Sequence, residues 1–197
     1  MLKRLLPLLA LLLLVLPGCA GKKTATAELP PEDYTLTQPA NWRFIPVGKL
    51  PTQLHEMEKT GMTLLGGYTA SPDGEPRFPM IVITRWDLMK FPLSGMLVMS
   101  DNFERFLGLR RAKSNPLLVN SKFFDEMNQR LFVDTTFLDE DGDATRVFLN
   151  MLFTEKGMLI AYGYTADSDI QSQAEMRGIM DSITLSPELR YQPIVTK

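Results

Sequence analysis

The residues able to do chemistry are few and scattered along the chain. His55 is the single histidine among 197 residues, so neither a Ser-His-Asp triad with a spare base nor a multi-histidine zinc site can be assembled. Its neighbours Glu56 and Glu58 point to an ion pair on a loop or short helix rather than to a mechanism. Asp139, Glu140, Asp141 and Asp143 surround Gly142 and offer the closely spaced oxygens that a hard cation takes. The spacing departs from a calcium-binding helix-loop-helix motif, in which glycine stands sixth and a bidentate glutamate twelfth. Here Gly142 is fourth from Asp139 and the twelfth position is Asn150. A solvated hairpin tip is the plainer reading, with Asp139, Asp141 and Asp143 kept as metal candidates. Thioethers select Cu(I), and the chain has 12 methionines, with Met96 and Met99, and Met176 and Met180, spaced to share a helix face. The spacing is unconvincing for a copper site, no Met-rich loop adds to it, and core packing is the preferred reading. Asp87, Asp101, Glu104, Asp134 and Asp181 could furnish a carboxylate pair for hydrolysis, but no motif accompanies them. The sequence has no glycine-rich phosphate loop and no nucleophile elbow.

The one cysteine carries a stronger signal. Met1-Leu2-Lys3-Arg4 is a short positive segment, and Leu5 to Leu16 is an apolar run interrupted by Pro7. That run is shorter than the roughly 20 residues needed to span a bilayer, and it has the length of a signal core. It ends in Leu16-Pro17-Gly18-Cys19, which resembles the lipobox of bacterial lipoproteins. Pro17 departs from the small non-proline residue usual at that position. The resemblance implies cleavage after residue 18 and fatty acylation of Cys19. Acyl chains on one residue anchor firmly, since each buried methylene contributes about 0.8 kcal/mol. Ala20 and Gly21 stand where an aspartate would be associated with retention in the inner membrane, so the resemblance implies the outer membrane of a Gram-negative cell. With no second cysteine, the exported part is expected to fold without disulfides.

Composition sets the remaining bounds. A chain that is 45% hydrophobic and 22% charged has enough apolar surface for a core, which excludes disorder. Loss of Lys3 and Arg4 with the leader takes the formal charge from −2 to about −4. The longest basic runs, Lys22-Lys23 and Arg110-Arg111, are two residues each, too little for a phosphate backbone, so no nucleic-acid partner is expected. Residues 1–18 are read as the signal peptide, 19–33 as a lipidated flexible tether, and 34–197 as a single globular domain. The tether reading rests on small and polar residues with Pro30-Pro31 and no apolar period.

Within the domain, Tyr34 to Thr37 alternate weakly, Trp42 to Val47 is a β-rich run expected as an early strand, and Leu50 to Thr60 is expected as a short helical or irregular segment. Gly61 to Thr69 and Pro79 to Asp87 should pair as a hairpin. Leu93 to Leu109 places Met96, Leu97, Met99, Phe103, Phe106 and Leu107 near a helical period, with Ser94 as its cap. Gln129 to Leu138, Ala144 to Thr154 and Gly157 to Thr165 form a meander with short links. A last helix, capped by Asp167 or Ser168, presents Ile170, Ala174, Met176, Ile179, Met180 and Ile183 to a sheet, and Pro187 stops the chain from continuing it. Strands and helices in this order define an α+β fold, an antiparallel β-sheet packed by helices.

The Asn41-Trp42-Arg43-Phe44 strand, the meander, the Leu159-Ile160-Ala161-Tyr162-Gly163-Tyr164 strand and the helix ending in Met180-Asp181-Ser182-Ile183 together resemble the PsbP-like and DcrB-like exported proteins. The similarity runs over most of residues 34–185. It implies an α/β/α sandwich and a binding or assembly role without catalytic residues. The expectation is a non-enzymatic lipoprotein with no cofactor, held to the membrane through Cys19 and binding another envelope protein. The alternatives are a small-ligand or metal carrier and a hydrolase with a carboxylate pair.

Overall fold

The computed structural model describes residues 31–103, 117–138 and 143–192. Residues 1–18, Cys19 with its preceding Leu16, Pro17 and Gly18, most of the tether, and Glu104, Phe106, Leu107, Asp139, Glu140 and Asp141 lie outside the described residues. The short strand β1 (Tyr34–Thr35) is followed by β2 (Arg43–Ile45), β3 (Met62–Thr69), β4 (Met80–Asp87) and helix α1 (Leu93–Asp101). Then come β5 (Leu117–Asp125), β6 (Arg130–Leu138), β7 (Ala144–Thr154), β8 (Gly157–Ala166), helix α2 (Ile170–Asp181) and β9 (Thr184–Leu185). Seven strands form one antiparallel sheet in the order β2-β3-β4-β8-β7-β6-β5. The fold is α+β.

The hairpin and the meander form as the turn residues demand, and β4 joins them by pairing with β8 from Met80 opposite Tyr164 to Asp87 opposite Gly157. Because side chains alternate along each strand, the sheet builds two separate cores. On one face Val82, Val133, Leu149 and Ile160 pack under Met96, Met99 and Phe103 of the α1 region and under Leu54 and Met57 of a 3-10 segment at Thr52–Thr60. On the other face Ile81, Ile83, Phe148 and Leu159 pack under Met176, Ile179, Met180 and Ile183 of the α2 region. Trp42 is fully buried in this second core. Fully burying one large apolar side chain contributes on the order of 1.5–3 kcal/mol, so each helix is held chiefly by two or three such residues.

Tyr34 and Thr35 form a strand outside the main sheet, paired with Leu185 and Thr184, and this segment clamps the end of α2. The helix caps and faces differ from expectation. The cap of α1 is Pro92, not Ser94, which lies inside the helix. Proline's fixed φ suits the entry to a helix, and Gly95 and Met96 donate to its carbonyl. The cap of α2 is Asp169, whose carboxylate accepts from the Ser172 amide at 3.1 Å; Asp167 and Ser168 precede it. Ile170, Ala174 and Leu97 point to solvent. Gln173 is buried instead, its amide donating to the Asp167 carbonyl at 2.7 Å. Strand β5 was not assigned from the sequence. It is an edge strand with a bulge between Val119 and Ser121, so its apolar residues never settle into a clean period of two.

Candidate functional site

The site grows from one carboxylate in an apolar strand. In β6, Leu131, Val133 and Thr135 face the α1 core, so Phe132, Asp134 and Thr136 face α2. The Asp134 side chain is 4% exposed, and a carboxylate so buried must be paired. Arg146, next door on β7 and directly opposite Thr136, approaches it with Nε 2.6 Å from Oδ1 and donates from Nη2 to Oδ2 at 2.8 Å. Arg177 of α2 donates to the same Oδ2 at 2.6 Å. Asn120 of β5 donates to Oδ1 at 3.3 Å and to the Thr136 hydroxyl at 2.9 Å. Arg146 continues the network by donating from Nη1 to Asp167 at 3.1 Å. The hydrogen bond to Asp134 is the main cause that raises the Arg146 pKa above its ordinary value. Four elements are thereby tied by one acid.

Beside this network a row of aromatic rings runs from the buried core out to the surface at Phe123. The Arg177 guanidinium lies 4.7 Å from the centroid of the Phe148 ring, and Phe148 stacks on Phe132 at 6.2 Å. Across the ladder from Phe132 stands Phe123 of β5, 67% exposed, and on the same strand Leu118 is 53% exposed. Asp125 and Asn128 close the β5–β6 turn, and Met127 at its tip is almost wholly exposed. Among the described residues no strand pairs on the outer side of β5. An edge strand with exposed aromatic and aliphatic side chains next to a fixed arginine has the composition of a protein-docking patch.

The other candidates are placed elsewhere. His55 contacts Glu58 at 3.1 Å on the 3-10 segment, far in sequence from any of these groups. Met96, Met99, Met176 and Met180 are all buried in the two cores, and the sulfurs of Met176 and Met180 lie over Gly163. Asp87 pairs with Arg85, the carbonyl of Asp101 accepts from Lys122, and Asp181 lies 4.0 Å from Arg130. These acids have partners different from those of Asp134. Asp143 is described without its neighbours in the acidic tip. Among the described residues no group of three or more His, Cys, Asp or Glu side chains could hold a metal ion. No helix among them is long and apolar enough to cross a membrane.

A second feature is an open, charged depression of about 810 Å³ at the opposite end of β4 and β8, where Asp33, Arg85, Asp87, Lys156 and Glu188 meet. Arg85 holds Asp33 at 2.9 Å and Asp87 at 2.9 Å.

Sequence reasoning named Asp134 but missed Arg146, Arg177, Asn120 and Asp167. A signal was present: an aspartate inside the apolar run Leu131–Phe137 needs a buried cation, and the next strand places an arginine across the hairpin. The contribution of Arg177, 43 residues away, could be seen only in the fold.

No family model and no curated protein matches the chain. Among solved structures it is similar to the crystal structure of LpqN, involved in cell envelope biogenesis of Mycobacterium tuberculosis. That likeness has a TM-score of 0.48 at 12% identity and covers 78% of this chain and 83% of the other, too distant to bear on function.

Proposed function

We propose that the protein is a lipid-anchored, non-enzymatic binding module of the cell envelope, which docks another envelope protein on the β5 edge and its aromatic flank. The observation that carries this reading is the exposure of Phe123 and Leu118 on an edge strand braced by the Asp134 network. Edge strands accept partner strands through their backbone groups, and exposed aromatics supply the side-chain specificity. The lipobox at Leu16 to Cys19 supports the anchor, and Ala20-Gly21 supports the outer membrane. Helical segments on both faces of the sheet support kinship with the PsbP-like and DcrB-like proteins.

The test is site-specific photocrosslinking in cells. A photoreactive residue at Phe123 should give one discrete adduct, absent when the same residue stands at Ala174 on the outer side of α2. Equal crosslinking at both positions, or none at Phe123 in a chain shown to be exported, would remove the reading.

A further inference from the structure

We propose that the outward face of α1 and the loop before it, Leu88, Met89, Leu93, Leu97 and Val98, rest on the lipid surface to which the chain is anchored. The inference rests on the lipid-anchor reading and deepens it by assigning the surface that faces the bilayer.

From Phe91 to Ser100 there are ten residues without a charge, in a chain that is 22% charged. Such a helix is ordinarily apolar on all sides because it is buried on all sides. Here Met96 and Met99 fill the core and so fix the rotation of the helix, which leaves Leu93 at 37%, Leu97 at 39% and Val98 at 61% exposure. The preceding loop is equally constrained. The Leu88 amide donates to the Lys156 carbonyl at 3.1 Å, and the Lys90 ammonium holds Glu155 at 2.6 Å. Met89, between these two fixed residues, is 82% exposed. An apolar side chain held outward by a constrained loop is a presented group, and it lies four residues before Leu93, where α1 begins.

The route of the N-terminal chain selects lipid as the occupant. Glu32 and Asp33 line the same depression as Leu88, and the Asp33 carbonyl accepts from Ser186 at 2.9 Å. The chain therefore leaves the domain beside the Leu88–Met89 loop. From there 12 residues lead back to Cys19. A segment of that length can reach no farther than about 40 Å when fully extended. Anchored at Cys19, the domain stays within that distance of the bilayer, so even a weak apolar contact is engaged much of the time. The outward residues are aliphatic or methionine, without the aromatic and arginine anchors that mark the β5 flank. Acids outnumber bases around the adjoining depression, so the contact is apolar and not an attraction to anionic headgroups.

The test uses the full, acylated chain purified from the membrane and reconstituted in vesicles of phosphatidylethanolamine and phosphatidylglycerol. Since Cys19 is the only cysteine and its sulfur is blocked as a lipid thioether in the anchored chain, Met89→Cys, Val98→Cys and Ala174→Cys each create a single labelling site for an environment-sensitive fluorophore. Labels at 89 and 98 should be quenched at least about threefold more by nitroxide-bearing lipid than the label at 174, and this should persist in high salt. If the chain floats with the vesicles while all three labels stay in water, the anchor stands and the docking surface is overturned. Shielding at 98 that grows with protein density and ignores the lipid quencher would assign the face to a second copy instead. A chain that fails to float and shows a bare thiol by mass spectrometry overturns the anchor and this inference with it.

Discussion

Asp134 of β6 and Arg177 of α2 meet at 2.6 Å, and through that contact the last helix is fastened to the strand next to the sheet edge. The two ends are unequal, with the Asp134 side chain 4% exposed and that of Arg177 45%. Arg146, at 22%, is the inner partner. Removing the acid leaves Arg177 without its anion and Arg146 with Asp167 alone, whereas removing Arg177 leaves Asp134 still held by Arg146. Asp134→Asn is therefore expected to destabilise by about 2–3 kcal/mol, and Arg177→Ala by no more than about 1 kcal/mol. Urea unfolding of the two variants checks the order. Equal losses would mean that Arg146 does not hold the acid.

Glu175 predicts an acid-sensitive helix. Its carboxylate accepts from the Trp42 indole at 3.1 Å, and that bond is the first cause that lowers its pKa below the usual carboxylate range, with Gln171 and Asn41 assisting. A carboxylate whose folded pKa is depressed stabilises the fold fully above its unfolded value of about 4.3. The contribution is lost as pH falls through the lower folded value. Stability measured by Trp42 emission should therefore fall below pH 4 more steeply in the native chain than in Glu175→Gln. Coincident pH profiles for the two would show that the contact is not energetically coupled to folding.

What was legible in the sequence, and what was not, follows from locality. The β6-β7-β8 meander and its turns are written in contiguous patterns, and so is the apolar side of α2 from Met176 to Met180. Strand β5 escaped because an edge strand is covered on one side only, and because the bulge after Val119 shifts its alternation. The caps were misplaced by a few residues for a similar reason: Asp167 and Asp169 look alike in sequence, but the first is drawn away by Arg146. The candidate site was half legible. Asp134 was conspicuous as a charge in an apolar strand, while the aromatic flank needed the register that sets Phe123 beside Phe132.

Gly157 ties the turn between β7 and β8 to the loop that carries Met89. Its φ is +117°, and an added Cβ would stand 2.2 Å from the Trp86 carbonyl oxygen and 2.6 Å from the Leu88 amide. Neither neighbour is a flexible side chain, so the strands would have to part. Gly157→Ala is expected to cost more than about 2 kcal/mol, which thermal unfolding will register. Native-like stability in that variant would show that the Leu88 loop is softer than its hydrogen bond to Lys156 implies.

Phe123 separates a docking role from a packing role. At 67% exposure it contributes little to the core, so Phe123→Ser is expected to change folding stability by less than about 0.5 kcal/mol. If the residue is an anchor for a partner, the same substitution should lower the affinity of the purified complex by tenfold or more, since exposed aromatics that become buried on binding dominate interface energies. Leu131→Ala supplies the contrast. Leu131 lies on the same hairpin but is fully buried in the other core, so it should cost about 2–4 kcal/mol in stability while the folded fraction binds normally. Calorimetric unfolding alongside affinity measurement of both variants resolves the two effects. A Phe123→Ser protein that is folded and binds with unchanged affinity would move the docking site away from β5.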